Sequence, residues 1–253
     1  MDTLSGKTAL VTGASRGIGE AAARHLGELG VNVVLTARTA SDIEKIAGEI
    51  NESGGKAIAI KCDVSNYNDV LHTVEKCVET FGTLDILVNN AGVVEPIARI
   101  TDSDPVTWGH VIDINVKGVY HGIRAAAPVM EKQGSGVIIN ISSGAATSAL
   151  EGWSQYCSSK AAALSLTKCT QLELSPGGIR VVGLSPGTVA TQMQIDIKAS
   201  GINPVSRLHP SVHISPLWVA KAIAFLATDD ASEFDGGDFS LRDEENRARV
   251  GVG

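Results

Sequence analysis

Near the N-terminus the apolar run Ala9-Leu10-Val11 leads into Thr12-Gly13-Ala14-Ser15-Arg16-Gly17-Ile18-Gly19 and then into Glu20-Ala21-Ala22-Ala23-Arg24-His25-Leu26. A short apolar run, a glycine-rich break and an alanine-rich stretch read as a buried strand, a tight turn and a helix. Glycines in such a turn let the backbone come close to a pyrophosphate, and the N–H groups that open the helix face its negative charge. The spacing is Gly-x-x-x-Gly-x-Gly, which departs from the general Gly-x-Gly-x-x-Gly dinucleotide fingerprint, so the strand-turn-helix setting carries the reading. A purely structural turn would use the same residues.

The alternation begun there continues along the chain. Strands are predicted at about residues 7–12, 31–37, 56–61, 85–88, 136–141, 179–184 and 236–241, and helices near 17–29, 41–53, 67–81, 103–131, 154–175 and 216–227. Gly30 ends the first helix, Ser41 and Asp42 are placed to cap the second, Gly54-Gly55 closes it, and Pro176-Gly177-Gly178 stops the long helix before the sixth strand. Strand-helix repetition with right-handed crossovers gives an α/β, doubly wound parallel sheet of seven strands with helices on both faces, a three-layer sandwich. Residues 1–253 read as one domain, with no linker, repeat or low-complexity tract. Ligands of such sheets bind at the carboxyl ends of the strands. Gly13, Asn89, Ser143 and Pro186 all fall just past predicted strand ends.

Composition narrows the partners. The formal charge of -7 argues against nucleic acid or an anionic membrane, which call for a basic footprint. No apolar stretch is long enough to span a bilayer, and Met1-Asp2-Thr3-Leu4-Ser5-Gly6-Lys7 enters the first strand without a signal-peptide pattern, so a cytoplasmic protein acting on a small molecule is expected. Cys62, Cys77, Cys157 and Cys169 lack Cys-x-x-Cys spacing and read as scattered small core residues, not disulfides. His209 and His213 flank Pro210 with no third ligand cluster, so they read as solvated loop histidines and no metal site is expected.

Chemistry is concentrated in Tyr156-Cys157-Ser158-Ser159-Lys160, thirteen positions after Ser143. In a helix, which the following Ala161-Ala162-Ala163-Leu164 favours, Tyr156 and Lys160 share a face. An ammonium beside a phenol favours the phenolate and is expected to lower a value near ~10, fitting the tyrosine to exchange a proton with a substrate oxygen. The bare pair recurs in helices with no such role. Cys157, a neighbour on the helix, points about 100° away.

Together with Asn89-Asn90-Ala91-Gly92 after the fourth strand and Pro186-Gly187-Thr188-Val189-Ala190-Thr191 after the sixth, these segments resemble the short-chain dehydrogenase/reductase family in its compact, single-domain Rossmann form, over residues 7 to 191. The resemblance implies hydride transfer between a nicotinamide and a carbonyl or secondary alcohol. It implies Tyr156 as proton donor, Ser143 as holder of the substrate oxygen, and Lys160 on the nicotinamide ribose and beside the phenol. Asn115 would hold a water behind the lysine, although an asparagine in so apolar a segment needs partners for structural reasons alone. Cofactor contacts are implied for Gly13, Ser15, Arg16, Gly17, Ile18, Gly19, Asp63, Val64, Asn89, Ala91, Gly92, Pro186, Gly187, Thr188, Val189 and Thr191. Ala37 stands where the family places a carboxylate for the adenosine ribose, and Arg38 follows; with Arg16 it suits a 2′-phosphate, so NADP(H) is expected ahead of NAD(H).

Substrate contacts are expected from Val94, Glu95, Gly144, Ala145, Ala146, Trp153, Gln155 and a lid at about residues 190–215. Trp153, Met193 and the lid isoleucines favour an apolar or aromatic carbonyl compound, as in sepiapterin and benzil reductases, whose corresponding stretch resembles Gly152 to Lys160; ordinary packing would use the same residues. The alternatives are a 3-oxoacyl carrier-protein reductase, which would want a basic patch, and a non-catalytic dinucleotide-binding regulator. The C-terminus departs from the family: after Asp238-Phe239-Ser240-Leu241 it continues as Arg242-Asp243-Glu244-Glu245-Asn246-Arg247-Ala248-Arg249, read as a solvated short helix. Relatives assemble through this end, so a homo-oligomer, tetramer or dimer, is expected.

Overall fold

A computed structural model describes residues 4–253, so Met1, Asp2 and Thr3 of the predicted lead-in lie outside the described residues. The strands are β1 (Thr8–Thr12), β2 (Asn32–Ala37), β3 (Lys56–Lys61), β4 (Ile86–Asn89), β5 (Gly136–Ile141), β6 (Ile179–Ser185) and β7 (Asp238–Ser240). They form one parallel sheet in the order β3-β2-β1-β4-β5-β6-β7. β7 is shorter than predicted because Gly236, at φ 73°, turns the chain just before it.

Strands covered on both faces must be apolar on both, and β1, β4 and most of β5 and β6 are buried residue after residue. One side chain set, including Ala9, Val11, Leu35 and Val88, packs under α1 (Gly17–Glu28), α2 (Ala40–Glu52) and α8 (Pro216–Leu226). The alternate set, including Leu10, Val34, Leu87 and Ile138, packs under α3 (Tyr67–Phe81), α5 (Gly118–Gln133) and α6 (Ser154–Leu174). The sheet grows outward in both directions from β1, which pairs with β2 on one side and β4 on the other. That reversal opens a crevice at the carboxyl ends of β1 and β4.

The helix predicted over 103–131 is two helices. Asp104 caps α4 (Pro105–Ile112) by accepting from the Thr107 N–H at 2.9 Å, and a π-helical turn at Asp113–Lys117 joins α4 to α5. Ser41 and Asp42 do not cap α2; they lie inside its first turn, Thr39 holds the cap position, and no side chain caps that end. Within the expected lid the chain forms α7 (Gln192–Ser200) and short 3-10 turns, where Asn203 Oδ1 accepts from the Val205 and Ser206 N–H groups. The charged tail does form a helix, α9 (Glu244–Arg249). Cys62 and Cys77 are buried, but Cys169 is exposed, because its position on α6 faces away from the sheet. His213 is not the solvated loop residue expected: its Nε2 is buried without a partner among the described residues.

Candidate active site

Tyr156 and Lys160 lie one helical turn apart on the inward face of α6, both buried. Lys160 Nζ donates to the Ile141 carbonyl at 2.7 Å, at the end of β5, and sits 5.7 Å from the Tyr156 ring centroid. Ser143 follows β5; its Oγ accepts from the Ala145 N–H at 3.2 Å, and its hydroxyl is near enough to Tyr156 to favour the phenolate. Ser142 points the other way, into the layer beneath α6, where it donates to Asp238 Oδ2 at 3.3 Å.

The expectation of an acidified phenol is not met. Burial pushes Tyr156 above its ordinary 10.0, and the neighbouring Ser143 hydroxyl offsets only part of that. The ammonium does not oppose the burial, because its Nζ is turned to a carbonyl and is itself desolvated. Burial drives Lys160 from 10.5 down to about 8, with Asp238 pulling it back up. Around neutral pH the pair is therefore a protonated phenol beside a cation with a loosened proton.

Asn115 lies in the π turn, buried and fully partnered: Oδ1 accepts from the Val93 N–H at 2.9 Å, and Nδ2 donates to the Val93 carbonyl at 2.8 Å and Ser159 Oγ at 3.0 Å. Its side chain thus ties the segment after β4 to α6 one residue before Lys160. A π turn shifts the backbone hydrogen-bond register locally and recurs at functional sites.

The glycine turn meets the demands of a pyrophosphate cradle. Gly13 and Gly17 have φ of 63° and 61°, and a methyl group on Gly13 would lie 2.8 Å from Ala91 Cα. A methyl group on Gly19 would strike the Gly13 carbonyl oxygen, so α1 starts hard against the turn. The cap residue Arg16 gives no side-chain hydrogen bond to that helix start, so the amides of Gly17, Ile18 and Gly19 lack a side-chain cap and can meet an anion. Thr191 borders the turn, with Cγ2 3.2 Å from where a Gly17 side chain would begin. Ser15 is half-buried, while Arg16 and Arg38 are exposed. Asp63 accepts from Ser65 N and Oγ at 2.9 and 2.7 Å and feels the charge of Arg38. Val64 is buried, and Gly92 passes close to Asn115 Oδ1 and Lys160 Nζ. Past β6, Pro186 is buried, Gly187 has φ 77°, Thr188 is half-buried, and Val189 buries its side chain in the main core, leaving only its backbone for a ligand.

Two expected contacts are corrected. The Asn89 side chain does not line the cleft, which leaves only its backbone for a ligand: it is buried below, and its Nδ2 donates to Asn140 Oδ1 at 2.9 Å while Asn140 Nδ2 donates to Thr167 Oγ1 at 2.9 Å. β4 alternates sides, and Asn89 falls on the α5–α6 side. Asn90 takes the position beside the turn, donating to the carbonyls of Thr12 at 2.8 Å and Gly13 at 3.1 Å. Gln155 is likewise fully buried, donating to the carbonyls of Val94 and Pro96, so it anchors a wall and faces no substrate. Thr12, whose Oγ1 accepts from Asn90 N and Ala91 N, and Ser159 were missed by sequence reasoning. Thr12 directly before the first turn glycine was the available signal.

Val94, Ala145, Trp153, Tyr156 and Ile197 form a separate apolar cluster, joined by Met193 and Val205 from the lid, and Trp153 meets Tyr156 edge-on at 5.3 Å. Trp153 Nε1 is buried without an acceptor among the described residues. Glu95 is exposed.

A doubly wound sheet with a pyrophosphate-ready turn at its switch point, and a buried tyrosine and lysine with a half-buried serine over the same edge, defines a dinucleotide-dependent oxidoreductase. A family model described as short chain dehydrogenase matches residues 7–200. The chain is 36% identical over 241 residues to a 3-oxoacyl-[acyl-carrier-protein] reductase of Synechocystis sp., covering 94% of this chain and 95% of that one. It is 37% identical over 246 residues to the oxidoreductase UcpA of Salmonella typhimurium, covering 93% of each. A crystal structure of NAD+-bound xylitol dehydrogenase superposes with a TM-score of 0.88 at 29% identity, over 94% of this chain and 98% of that one. The chain belongs to the short-chain dehydrogenase/reductase family and is an oxidoreductase. Among the described residues, no helix is long and apolar enough to cross a membrane.

Proposed function

We propose that the protein is an NADP(H)-dependent carbonyl reductase, or in the reverse sense a secondary-alcohol dehydrogenase, with Tyr156, Ser143, Lys160 and Asn115 as its polar machinery. The observation that carries this reading is the buried Tyr156 on one face of α6 with Lys160, whose Nζ lies 5.7 Å from its ring centroid, and with Ser143 beside its hydroxyl. A bound nicotinamide would supply or accept the hydride. Tyr156 Oη gives its proton to the carbonyl oxygen as negative charge grows there, and Ser143 Oγ holds that oxygen. Lys160, protonated below about 8, supplies charge that favours the tyrosinate once the proton has left. Asn115 is a positioning residue for the Lys160 side of the cleft. The uncapped start of α1 would hold the pyrophosphate, and Asp63, Val64, Ala91, Gly92 and residues 186–191 would line the rest.

The phosphate preference rests on Ala37 and Arg38: no carboxylate ends β2, and two exposed guanidiniums, Arg38 and Arg16, flank the spot where an adenosine ribose would lie. The apolar cluster of Val94, Ala145, Trp153 and Ile197 supports apolar flanks on the substrate carbonyl. A second reading, reduction of 3-oxoacyl thioesters, is favoured by the name of the Synechocystis relative. We read the protein as a cytoplasmic homo-oligomer, since Val106, Tyr120 and Leu172 leave apolar surface exposed on α4, α5 and α6.

The test is NADPH and NADH oxidation against diketones, 3-oxoesters and 3-oxoacyl thioesters, with Tyr156→Phe alongside. Loss of a general acid costs roughly 100- to 10,000-fold in rate. Retention of most activity by Tyr156→Phe refutes the assignment, and thioesters outrunning every free ketone would favour the second reading.

A further inference from the structure

The C-terminal segment, where this chain leaves the family pattern, carries a cation to the candidate active site. Leu241 N donates to the Ser185 carbonyl at 3.0 Å, which prolongs the β6–β7 pairing by one residue and delivers Arg242 to the carboxyl edge of the sheet beside Pro186 and Gly187. Its side chain lies across two glycines: a methyl group on Gly187 would sit 3.5 Å from Arg242 Cγ, and one on Gly144 would sit 3.6 Å from Arg242 Nη1. The stem therefore passes the loop after β6, and the guanidinium ends next to the residue that follows Ser143.

The backbone beneath it is fixed. Arg242 N donates to Ser240 Oγ at 3.2 Å, and Arg247 Nη1 donates to the carbonyls of Arg242 at 2.9 Å and Leu241 at 3.2 Å. Asn246 Nδ2 donates to the Ser240 carbonyl at 3.0 Å. The charged tail thus clamps the turn that presents Arg242. Among the described residues, Arg24, Arg99, Arg180 and Arg249 each have a carboxylate partner, and no ion pair involves Arg242. A guanidinium offers a planar fork of donors matched to two oxygens of a carboxylate or another oxyanion. In a protein of net charge -7, a local cation beside Gly144, at the edge of the apolar cluster that holds Ala145, Trp153 and Tyr156, is what would draw in an anionic substrate.

We propose that Arg242 forms an oxyanion subsite beside the reacting carbonyl, so that the substrate is an oxo or hydroxy compound bearing a carboxylate or comparable anion close to that carbon. The proposal rests on the placement of the substrate oxygen at Ser143 and Tyr156 given above. It names a specificity determinant whose charge is supplied by the tail.

The experiment compares acid and methyl-ester pairs, 2-oxobutanoate, 3-oxobutanoate and 4-oxopentanoate, by kcat/KM for NADPH and NADH oxidation in wild type, Arg242→Gln and Arg242→Lys. The wild type should prefer one acid over its ester by tenfold or more. Arg242→Gln should cut that ratio at least tenfold, through KM for the acid, and Arg242→Lys should give an intermediate ratio. Binding is read without turnover from the melting temperature with saturating cofactor and either butanoate or methyl butanoate: butanoate alone should protect the wild type, and should fail to protect Arg242→Gln. Esters reduced as well as acids, a ratio unchanged in Arg242→Gln, or no protection by butanoate overturns the subsite and leaves the Tyr156 chemistry standing. Protection specific to the anion, with neither member of any pair reduced, supports the subsite and counts against the chemistry assigned to Tyr156.

Discussion

Replacing Lys160 with methionine should make the protein more stable at neutral pH while abolishing most of its activity. Lys160 is buried, and its amine falls from 10.5 in the unfolded chain to about 8 in the fold. At roughly 1.4 kcal/mol per tenfold change in proton affinity, this opposes folding by about 3 kcal/mol. The sign follows from which state binds the proton more tightly. Above the unfolded value both states are neutral and there is no penalty; as pH falls from 10.5 towards 8 the unfolded chain takes up the proton first, and below about 8 the penalty is complete. Methionine keeps the length and apolar stem but loses the hydrogen bond to the Ile141 carbonyl, a loss of about 1 kcal/mol. The net gain near neutral pH is roughly 2 kcal/mol, or about 4–8 °C in Tm for a chain of this size. Urea melts of both proteins without cofactor, at pH 7, 8.5 and 10.5, read it directly. The gap should shrink with rising pH and vanish or reverse at the top of the range. A variant less stable than wild type at pH 7, or a gap independent of pH, refutes the argument. Stability of this kind traded for function is what a charged group buried for chemistry implies.

Other outcomes follow from the same geometry. Arg38→Ala should lower the ratio of NADPH to NADH efficiency by about tenfold or more, the worth of a charge-assisted pair; a wild type that prefers NADH contradicts the reading of β2. Gly19→Ala places a methyl group against the Gly13 carbonyl and 2.6 Å from Asn90 Nδ2, so KM for the dinucleotide should rise by about tenfold or more through displacement of the turn; unchanged cofactor kinetics would show that the turn is not the cradle. Asn140→Ala strips partners from Asn89 and Thr167 and should cost roughly 2–3 kcal/mol in denaturant melts. Its KM for cofactor should stay near wild type, whereas a large rise with little loss of stability would return Asn89 to the cleft.

Strand and helix order were legible because each strand is a short apolar run and each helix carries its own punctuation, as at Gly30, Gly54 and Gly178, all with left-handed φ. The break at Asp113–Lys117 was not legible, since Val111 to Val116 is helical by every local criterion and only the tertiary partners of Asn115 reveal the π turn. At the site, four-residue spacing put Tyr156 and Lys160 on one face, and the glycine pattern located the turn. Side-chain direction just past a strand end was harder. Asn89 and Asn90 are chemically equivalent on paper, but one falls into the α5–α6 layer and the other onto the turn.

What the sequence determined by itself was periodicity and spacing: seven strands, the helices between them, and a family resemblance that four separated motifs made specific. The tertiary structure decided the quantities that depend on surroundings. Burial, which no local pattern reports, raises the Tyr156 phenol where a neighbouring ammonium was expected to lower it. The parallel pairing of β7 with β6 brings Arg242 against Gly144 and Gly187, residues far from it in the chain. Solvation and proximity are properties of the packed whole, so they appear only once the sheet has closed around them.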